Sequence, residues 1–161
     1  MISKKQGDNE MSIVLTLVSV AALLTVTTAE TINTLIDKCE KGKLSEPIPT
    51  RFNNRDLLLK TITEHGIEAT CNENGVITAN CNEGLLVYRP DGEDGAYTVR
   101  VNEAFDVDIL AEELNNIDIE YDANVQSYTY EHVIENLPDN MCIEDEQVLE
   151  DNSILITIAV N

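Results

Sequence analysis

The two histidines are the first candidates for acid–base or metal chemistry, because the chain has no others. His65 precedes Gly66 at the predicted end of a helix, where an imidazole can meet the unpaired backbone carbonyls of the last turn. His132 is followed one helical turn later by Glu135, a pair that could hold a metal ion. The Glu-x-x-His order of di-iron helical bundles does not occur. The spacing favours a capping role for His65 and gives little support for a metal at His132.

The cysteines could serve as metal ligands, nucleophiles or disulfide partners. No C-x-x-C pair occurs, and none of them has a close spacing to a histidine, so a zinc site is not indicated. Free thiols are favoured over two disulfides in an acidic chain of this kind. The four positions are Cys39, Cys71, Cys81 and Cys142.

Other motifs of catalysis or cofactor binding are missing from the sequence. There is no glycine-rich phosphate loop and no G-x-S-x-G elbow. The sequence therefore predicts no catalytic residue, no cofactor and no metal. An enzyme of unrecognised class stays open, because catalytic triads are assembled in space rather than along the chain.

Charge is the strongest signal in the sequence. The formal net charge is −20, and the 61 residues after Arg100 contain sixteen Asp or Glu and no Lys or Arg. Such a surface repels nucleic acid, whose phosphates need clustered basic side chains, so no direct nucleic-acid binding is expected. At 43% hydrophobic residues the chain can still fill a core.

The acidic residues near the C-terminus have two interpretations. They are either a charged strand edge that resists aggregation or a docking surface for a basic protein partner. Tyrosines nearby could anchor such an interface, although core packing is expected to take at least one of them. The candidate docking residues are Glu144, Asp145, Glu146, Glu150, Asp151, Tyr121 and Tyr128.

The segment 11–29 has no charged residue and is almost long enough to cross a bilayer as a helix. Three interpretations are open: a single-pass membrane anchor, a helix buried in the fold or in a homo-oligomer, and a cleaved signal peptide. As an anchor, its lysine-richer C-terminal flank would place the rest of the chain in the cytoplasm; the alternative is a soluble cytoplasmic protein. Small residues define a helix-packing face at Ser12, Thr16, Ser19 and Ala22.

Hydrophobic periodicity and turn signals predict the remaining elements. Asn53-Asn54 supplies the N-cap of a helix that starts at Arg55, Gly66 stops that helix, and Asn74-Gly75 is a hairpin turn. A strand at 48–52 and a helix at 55–66 precede strands at 67–71, 76–80, 85–89 and 96–101, helices at 107–117 and 130–137, and a hairpin at 142–149 and 154–160. The predicted fold class is α+β. Its antiparallel sheet combines a meander with the C-terminal hairpin, has two or three helices on one face, and is preceded by a long N-terminal apolar helix.

The predicted domain organisation follows from these elements. It comprises an N-terminal tail at 1–10, an apolar or amphipathic helix at 11–42, a linker at 43–49 and an acidic α+β domain at 50–161.

Three segments carry a resemblance to a known family. They are Asn54-Arg55-Asp56-Leu57-Leu58-Leu59-Lys60 running to His65-Gly66-Ile67, then Tyr128-Thr129-Tyr130-Glu131, and Glu150-Asp151-Asn152-Ser153-Ile154-Leu155-Ile156. With the order of elements, they make residues 48–161 resemble the plastid and cyanobacterial conserved reading frame thirty-five family, a domain of unknown function. The resemblance implies a fold and no catalytic residues.

These observations predict a non-enzymatic acidic adaptor or assembly component, tethered through its N-terminal apolar helix. Three alternatives remain. A nucleic-acid mimic or inhibitor would present carboxylates spaced like phosphates to a basic partner. A soluble oligomeric structural protein would use the apolar helix as its seam, and an enzyme would belong to an unrecognised class.

Overall fold

The structure, a computed structural model, describes residues 2–7, 10–17, 43–92, 95–102 and 105–161. The chain divides into two compact units. We call Leu24–Tyr121 the meander unit, and Met1–Leu23 together with Asp122–Asn161 the hairpin unit. Within the described residues, no helix is both long enough and apolar enough to cross a lipid bilayer.

The meander unit contains a five-stranded antiparallel sheet and a helix. Its strands are β3 (Ile48–Pro49), β4 (Glu68–Cys71), β5 (Ile77–Asn80), β6 (Leu85–Pro90) and β7 (Tyr97–Val101), in the spatial order β3-β7-β6-β5-β4. Helix α1 spans Arg55–Glu64. Each of β4, β5 and β6 pairs with the next strand in the chain, so short turns are enough to connect β4 to β7.

Local sequence signals place both ends of α1. The side-chain oxygen of Asn54 accepts hydrogen bonds from the N–H groups of Asp56 and Leu57, each at 3.0 Å, as an N-cap does. The helix ends at Glu64 and is stopped by Gly66 after the C-cap residue His65; the φ of Gly66, +89°, is a conformation that glycine adopts at little cost. The N–H of Ile67 then donates to the carbonyl of Ile62, which closes the last turn.

The core of the meander unit is aliphatic with a small aromatic cluster. Leu58 and Ile62 of α1 are fully buried, and the ring of Phe52 lies against the rings of Tyr88 and Tyr121. The fully buried aliphatic side chains from the strands and from the following helix include Ile77, Leu86, Val99, Val101, Leu110 and Ile117.

Helix α2 spans Val107–Glu135, and the boundary between the two units falls within it, between Tyr121 and Asp122. Asp106 accepts hydrogen bonds from the N–H groups of Asp108 and Ile109 and so begins the helix. No Gly or Pro occurs between Val107 and Glu135, and Pro138 follows shortly after the end.

The hairpin unit contains a four-stranded antiparallel sheet. Its strands are β1 (Ile2–Gly7), β2 (Glu10–Leu17), β8 (Met141–Val148) and β9 (Ile154–Val160), in the spatial order β1-β2-β9-β8. Strand β9 lies between β2 and β8, and its Ile156 and Ile158 are buried. Gln126 of α2 donates to the carbonyl of Asn152 at 2.7 Å, which joins the helix to the turn between β8 and β9.

The predicted long N-terminal apolar helix is wrong. Residues 11–17 belong to strand β2, where Ile13 pairs with Ile158 and Leu15 with Ile156. An apolar run of this length can be a buried strand or a buried helix, and β-branched residues such as Ile13 and Val14 suit the strand. Residues 18–42, which include the rest of the predicted helix and most of the predicted anchor, lie outside the described residues.

The predicted single sheet with two or three helices on one face is also wrong. The structure is α+β, but it has two separate antiparallel sheets, because the C-terminal hairpin pairs with β2 rather than with the meander. The predicted helices at 107–117 and 130–137 are parts of one helix, α2, so the described residues contain two helices in all. The predicted linker and domain bounds stay predictions.

Candidate docking surface

Strand β8 carries three of the acidic residues that the sequence singles out. It lies at one end of its sheet and, among the described residues, pairs only with β9. We call the unpaired side of this strand the β8 edge. Glu144, Asp145 and Glu146 are all exposed on this strand.

The hydrogen bonds at the two ends of the β8–β9 ladder show which backbone groups face the β8 edge. The N–H of Leu149 donates to the carbonyl of Ser153, and the N–H of Asn161 donates to that of Asn140. Antiparallel ladders alternate between hydrogen-bonded and non-hydrogen-bonded pairs. Counting from both ends, the backbone N–H and C=O groups of Ile143, Glu146 and Val148 point away from β9, toward the β8 edge.

A β-bulge changes how the carboxylates are displayed. Ile143 pairs with Ile158 and Asp145 pairs with Thr157, so Glu144 is one extra residue opposite the same stretch of β9. The hydroxyl of Ser12 donates to Oε2 of Glu144 at 3.3 Å. Cross-strand partners share a face of the sheet, so Asp145 lies on the face of its partner Thr157, opposite to Ile156 and Ile158. Ser12 lies on the same face as Thr157, and its hydrogen bond shows that Glu144 lies there as well. The bulge therefore places two consecutive carboxylates, those of Glu144 and Asp145, on one face of the sheet.

Glu146 lies on the other face of the sheet. It pairs with the fully buried Ile156, and its Oε2 accepts a hydrogen bond of 2.7 Å from the hydroxyl of Tyr130 on α2. This hydrogen bond raises the pKa of the Tyr130 hydroxyl. No local sequence signal indicates the pair, because the two residues belong to different elements.

The turn between β8 and β9 extends the acidic surface. Glu150 and Asp151 are exposed, and Asn152 follows them with a φ of +61°. The backbone N–H of Ser153 donates to Oδ1 of Asp151 at 3.0 Å and lowers the pKa of that carboxyl group.

Two apolar side chains lie beside these acids. Val148 is 69% exposed and Leu149 is 39% exposed. They are adjacent at the C-terminal end of β8, next to Glu150. The end of the β8 edge therefore combines negative charge with exposed apolar surface.

The two predicted tyrosine anchors have different environments. Tyr128 is 50% exposed on α2 and stacks on His132, with the ring centroids 6.1 Å apart. Tyr121 is only 3% exposed and belongs to the meander unit. Its hydroxyl accepts hydrogen bonds from the N–H groups of Asn53 and Asn54 and donates to Oδ1 of Asn53. Tyr121 therefore positions the N-cap of α1 and presents no ring to a partner.

Half of the predicted helix-packing face is described. Ser12 and Thr16 are four residues apart on β2 and therefore share one face of the sheet, not of a helix. Ser19 and Ala22 lie outside the described residues.

His65 occupies the C-cap position of α1, as predicted, but its ring contacts two carboxylates of α2. Its Nδ1 lies 2.8 Å from Oε1 of Glu120, and its Nε2 lies 3.4 Å from Oε1 of Glu113. The hydrogen bond with Glu120 raises the pKa of His65, and burial opposes this increase. Sequence reasoning missed this cluster, because its residues come from two helices.

Near this cluster are a half-buried thiol, Cys81, and a fully buried phenol, Tyr88, and the pKa of each is raised. Burial raises the pKa of the Cys81 thiol to about 11, and Glu113 and Glu83 add to the effect. Burial also raises the pKa of Tyr88, whose hydroxyl has no hydrogen-bond partner among the described residues. The described part of the chain has no group of His, Cys, Asp and Glu side chains arranged to hold a metal ion.

The chain matches no family model, no curated protein and no solved structure. The resemblance of residues 48–161 to the conserved reading frame thirty-five family therefore stays a prediction.

Proposed function

We propose that this protein is a non-enzymatic acidic adaptor or assembly component that binds a basic protein partner. The observation that carries the proposal is the exposed acidic surface of the hairpin unit. Glu144, Asp145 and Glu146 on β8 and Glu150 and Asp151 in the adjoining turn are all exposed, and no Lys or Arg follows Arg100 in the sequence.

Electrostatic complementarity supports a partner of opposite charge. A surface of one sign accelerates encounter with a basic protein and disfavours acidic ones. Exposed ion pairs add little affinity one by one, so the interface also needs apolar anchors. Val148, Leu149 and the exposed ring of Tyr128 are available for this purpose in the same unit.

The test measures binding of the full-length chain to a fluorescently labelled, unstructured Lys-rich peptide by fluorescence anisotropy. We expect saturable binding that weakens as salt is added, and no binding of a Glu-rich peptide of equal length. Absence of binding to the Lys-rich peptide at low salt would contradict the proposal.

A pair of charge-matched variants tests whether the surface, rather than the net charge, is responsible. The first variant combines Glu144→Gln, Asp145→Asn and Glu146→Gln. The control neutralises three exposed carboxylates of the meander unit, with Glu68→Gln, Glu73→Gln and Asp91→Asn. Only the first variant should lose most of its affinity, and an equal loss in both would show that binding reflects net charge alone.

A further inference from the structure

The β8 edge has the geometry to accept another strand. The strand is eight residues long, and the backbone groups of Ile143, Glu146 and Val148 point outward from it. Among the described residues nothing pairs with them. A row of such groups is a template for an extended peptide, whose backbone would supply the complementary donors and acceptors.

A second copy of this chain is a poor occupant of the β8 edge. If two β8 strands paired, the acids at positions 144 to 146 would meet the same acids of the other copy, and like charges across strands are destabilising. Two molecules that each carry a formal charge of −20 also repel each other at long range. The charges therefore disfavour self-pairing and favour a basic strand.

The exposed apolar residues argue that this edge does more than resist aggregation. Carboxylates alone are enough to keep an edge strand solvated. Val148 at 69% exposure and Leu149 at 39% add apolar area at the end of β8, where a protective edge has no use for it. Side chains of this kind become useful when another segment covers them.

We propose that the β8 edge binds an extended basic segment of the partner protein, which adds to the sheet as a fifth strand beside β8. Alternate Lys or Arg side chains of that segment lie next to Glu144 and Asp145, on the face where the bulge places both carboxylates. An apolar side chain of the same segment covers Val148. This inference rests on the proposed function and specifies where and in what conformation the partner binds.

The test uses two peptides of the same length as β8 and of the same charge. One alternates Lys with Thr and Val; the other has the same sequence with alternate backbone amides N-methylated, so that it cannot pair with a strand. We expect the first peptide to bind at least about tenfold more tightly. In the complex, the exchange of the Glu146 and Val148 amide protons with solvent should slow by at least about tenfold.

Substitutions of the protein separate backbone pairing from charge. Val148→Pro removes an N–H that points to the β8 edge and leaves the ladder with β9 intact, whereas Val148→Ala keeps the N–H. The proline variant should lose the tenfold preference for the unmethylated peptide over the N-methylated one, and the alanine variant should keep most of this preference. If Val148→Pro does not fold, the comparison of the two peptides on the unaltered protein still tests whether the partner pairs as a strand.

The remaining outcomes distinguish the two proposals. If the two peptides bind equally, and binding still depends on Glu144 and Asp145, the proposed function stands and strand addition is wrong. If neither peptide binds, both proposals fail.

Slow amide exchange at Glu146 and Val148 in the free protein would show that this chain already covers the edge. In sedimentation, an apparent molecular mass that increases with protein concentration would instead identify a second copy of this chain as the occupant. Strand β1 of that copy, which contains Lys4 and Lys5, is a candidate for the added strand. Either result overturns the inference.

Discussion

Nδ1 of His65 lies 2.8 Å from Oε1 of Glu120, while the other ring nitrogen of the same imidazole faces Glu113. A neutral imidazole can donate a hydrogen bond from only one nitrogen, so only the protonated ring can donate to both carboxylates. The pair joins the C-terminal end of α1 to the part of α2 within the meander unit. The stability of that unit should therefore depend on the protonation of His65.

The pH dependence follows from the direction of the pKa shift. The pKa of His65 is raised above its ordinary value of 6.5 in the folded protein, so folding favours the protonated ring. The stabilisation is fully present below pH 6.5 and is lost as the pH rises through the higher folded-state pKa. In urea denaturation, His65→Gln should cost about 1 kcal/mol at low pH and less above this range. His132→Gln should keep the pH dependence, and a pH profile unchanged by His65→Gln would contradict the assignment.

The buried face of β9 should be far more sensitive to truncation than the β8 edge. Ile156 is fully buried, so Ile156→Ala should reduce the free energy of unfolding by about 2–5 kcal/mol. The matched control is Val148→Ala on the neighbouring strand. Because Val148 is 69% exposed, its truncation should change stability by less than about 0.5 kcal/mol. Similar losses for both variants in chemical denaturation would contradict the burial of Ile156 and the exposure of Val148.

The hydroxyl of Tyr121 should contribute to stability through the N-cap of α1. Tyr121→Phe keeps the ring against Phe52 but leaves the N–H groups of Asn53 and Asn54 without their acceptor. We expect a loss of about 1–2 kcal/mol, and faster amide exchange in the first turn of α1. Tyr128→Phe removes an exposed hydroxyl and should leave stability within about 0.5 kcal/mol. Equal effects of the two changes would argue against the capping role.

The turn between β8 and β9 depends on the left-handed conformation of Asn152. Its φ is +61°, and its N–H donates to the carbonyl of Leu149. Asn152→Ala keeps these backbone groups but adds strain, because alanine is disfavoured at positive φ, so we expect a loss of about 1 kcal/mol. Asn152→Gly should cost less than Asn152→Ala. Thermal unfolding of the two variants measures which one is less stable. A glycine variant less stable than the alanine variant would contradict the left-handed conformation at this position.

Signals contained within a few residues were sufficient for the local structure of the meander unit. Asn54 begins α1 and Gly66 ends it, and Asn74-Gly75 connects β4 to β5, as the sequence predicts. These signals work because a cap or a turn depends on the φ, ψ and side-chain hydrogen bonds of a few neighbouring residues. The alternating isoleucines of β9 are local in the same sense, because period-two alternation defines a strand without reference to its partners.

Helix α2 shows where periodicity failed. The sequence predicts two short helices, because the apolar spacing is clear around Leu110 and Ile117 and again after Tyr130, and is weak between them. The helix belongs to the meander unit up to Tyr121 and to the hairpin unit from Asp122, so no single apolar stripe is needed along its whole length. The absence of Gly and Pro from the intervening residues was the signal that could have joined the two helices.

By itself, the sequence determined the caps, the turns, the alternation of β9 and the excess of negative charge after Arg100. Only the tertiary structure decided that residues 11–17 form a strand, because an apolar run becomes a strand when a partner such as β9 supplies its backbone hydrogen bonds. The tertiary structure also decided two hydrogen bonds, one between Ser12 and Glu144 and one between Tyr130 and Glu146. The residues of these pairs are 132 and 16 positions apart in the chain. Side chains so far apart in sequence meet only after the strands have paired. The position of the acids along a strand edge with which no described strand pairs therefore follows from the order of the strands in the sheet.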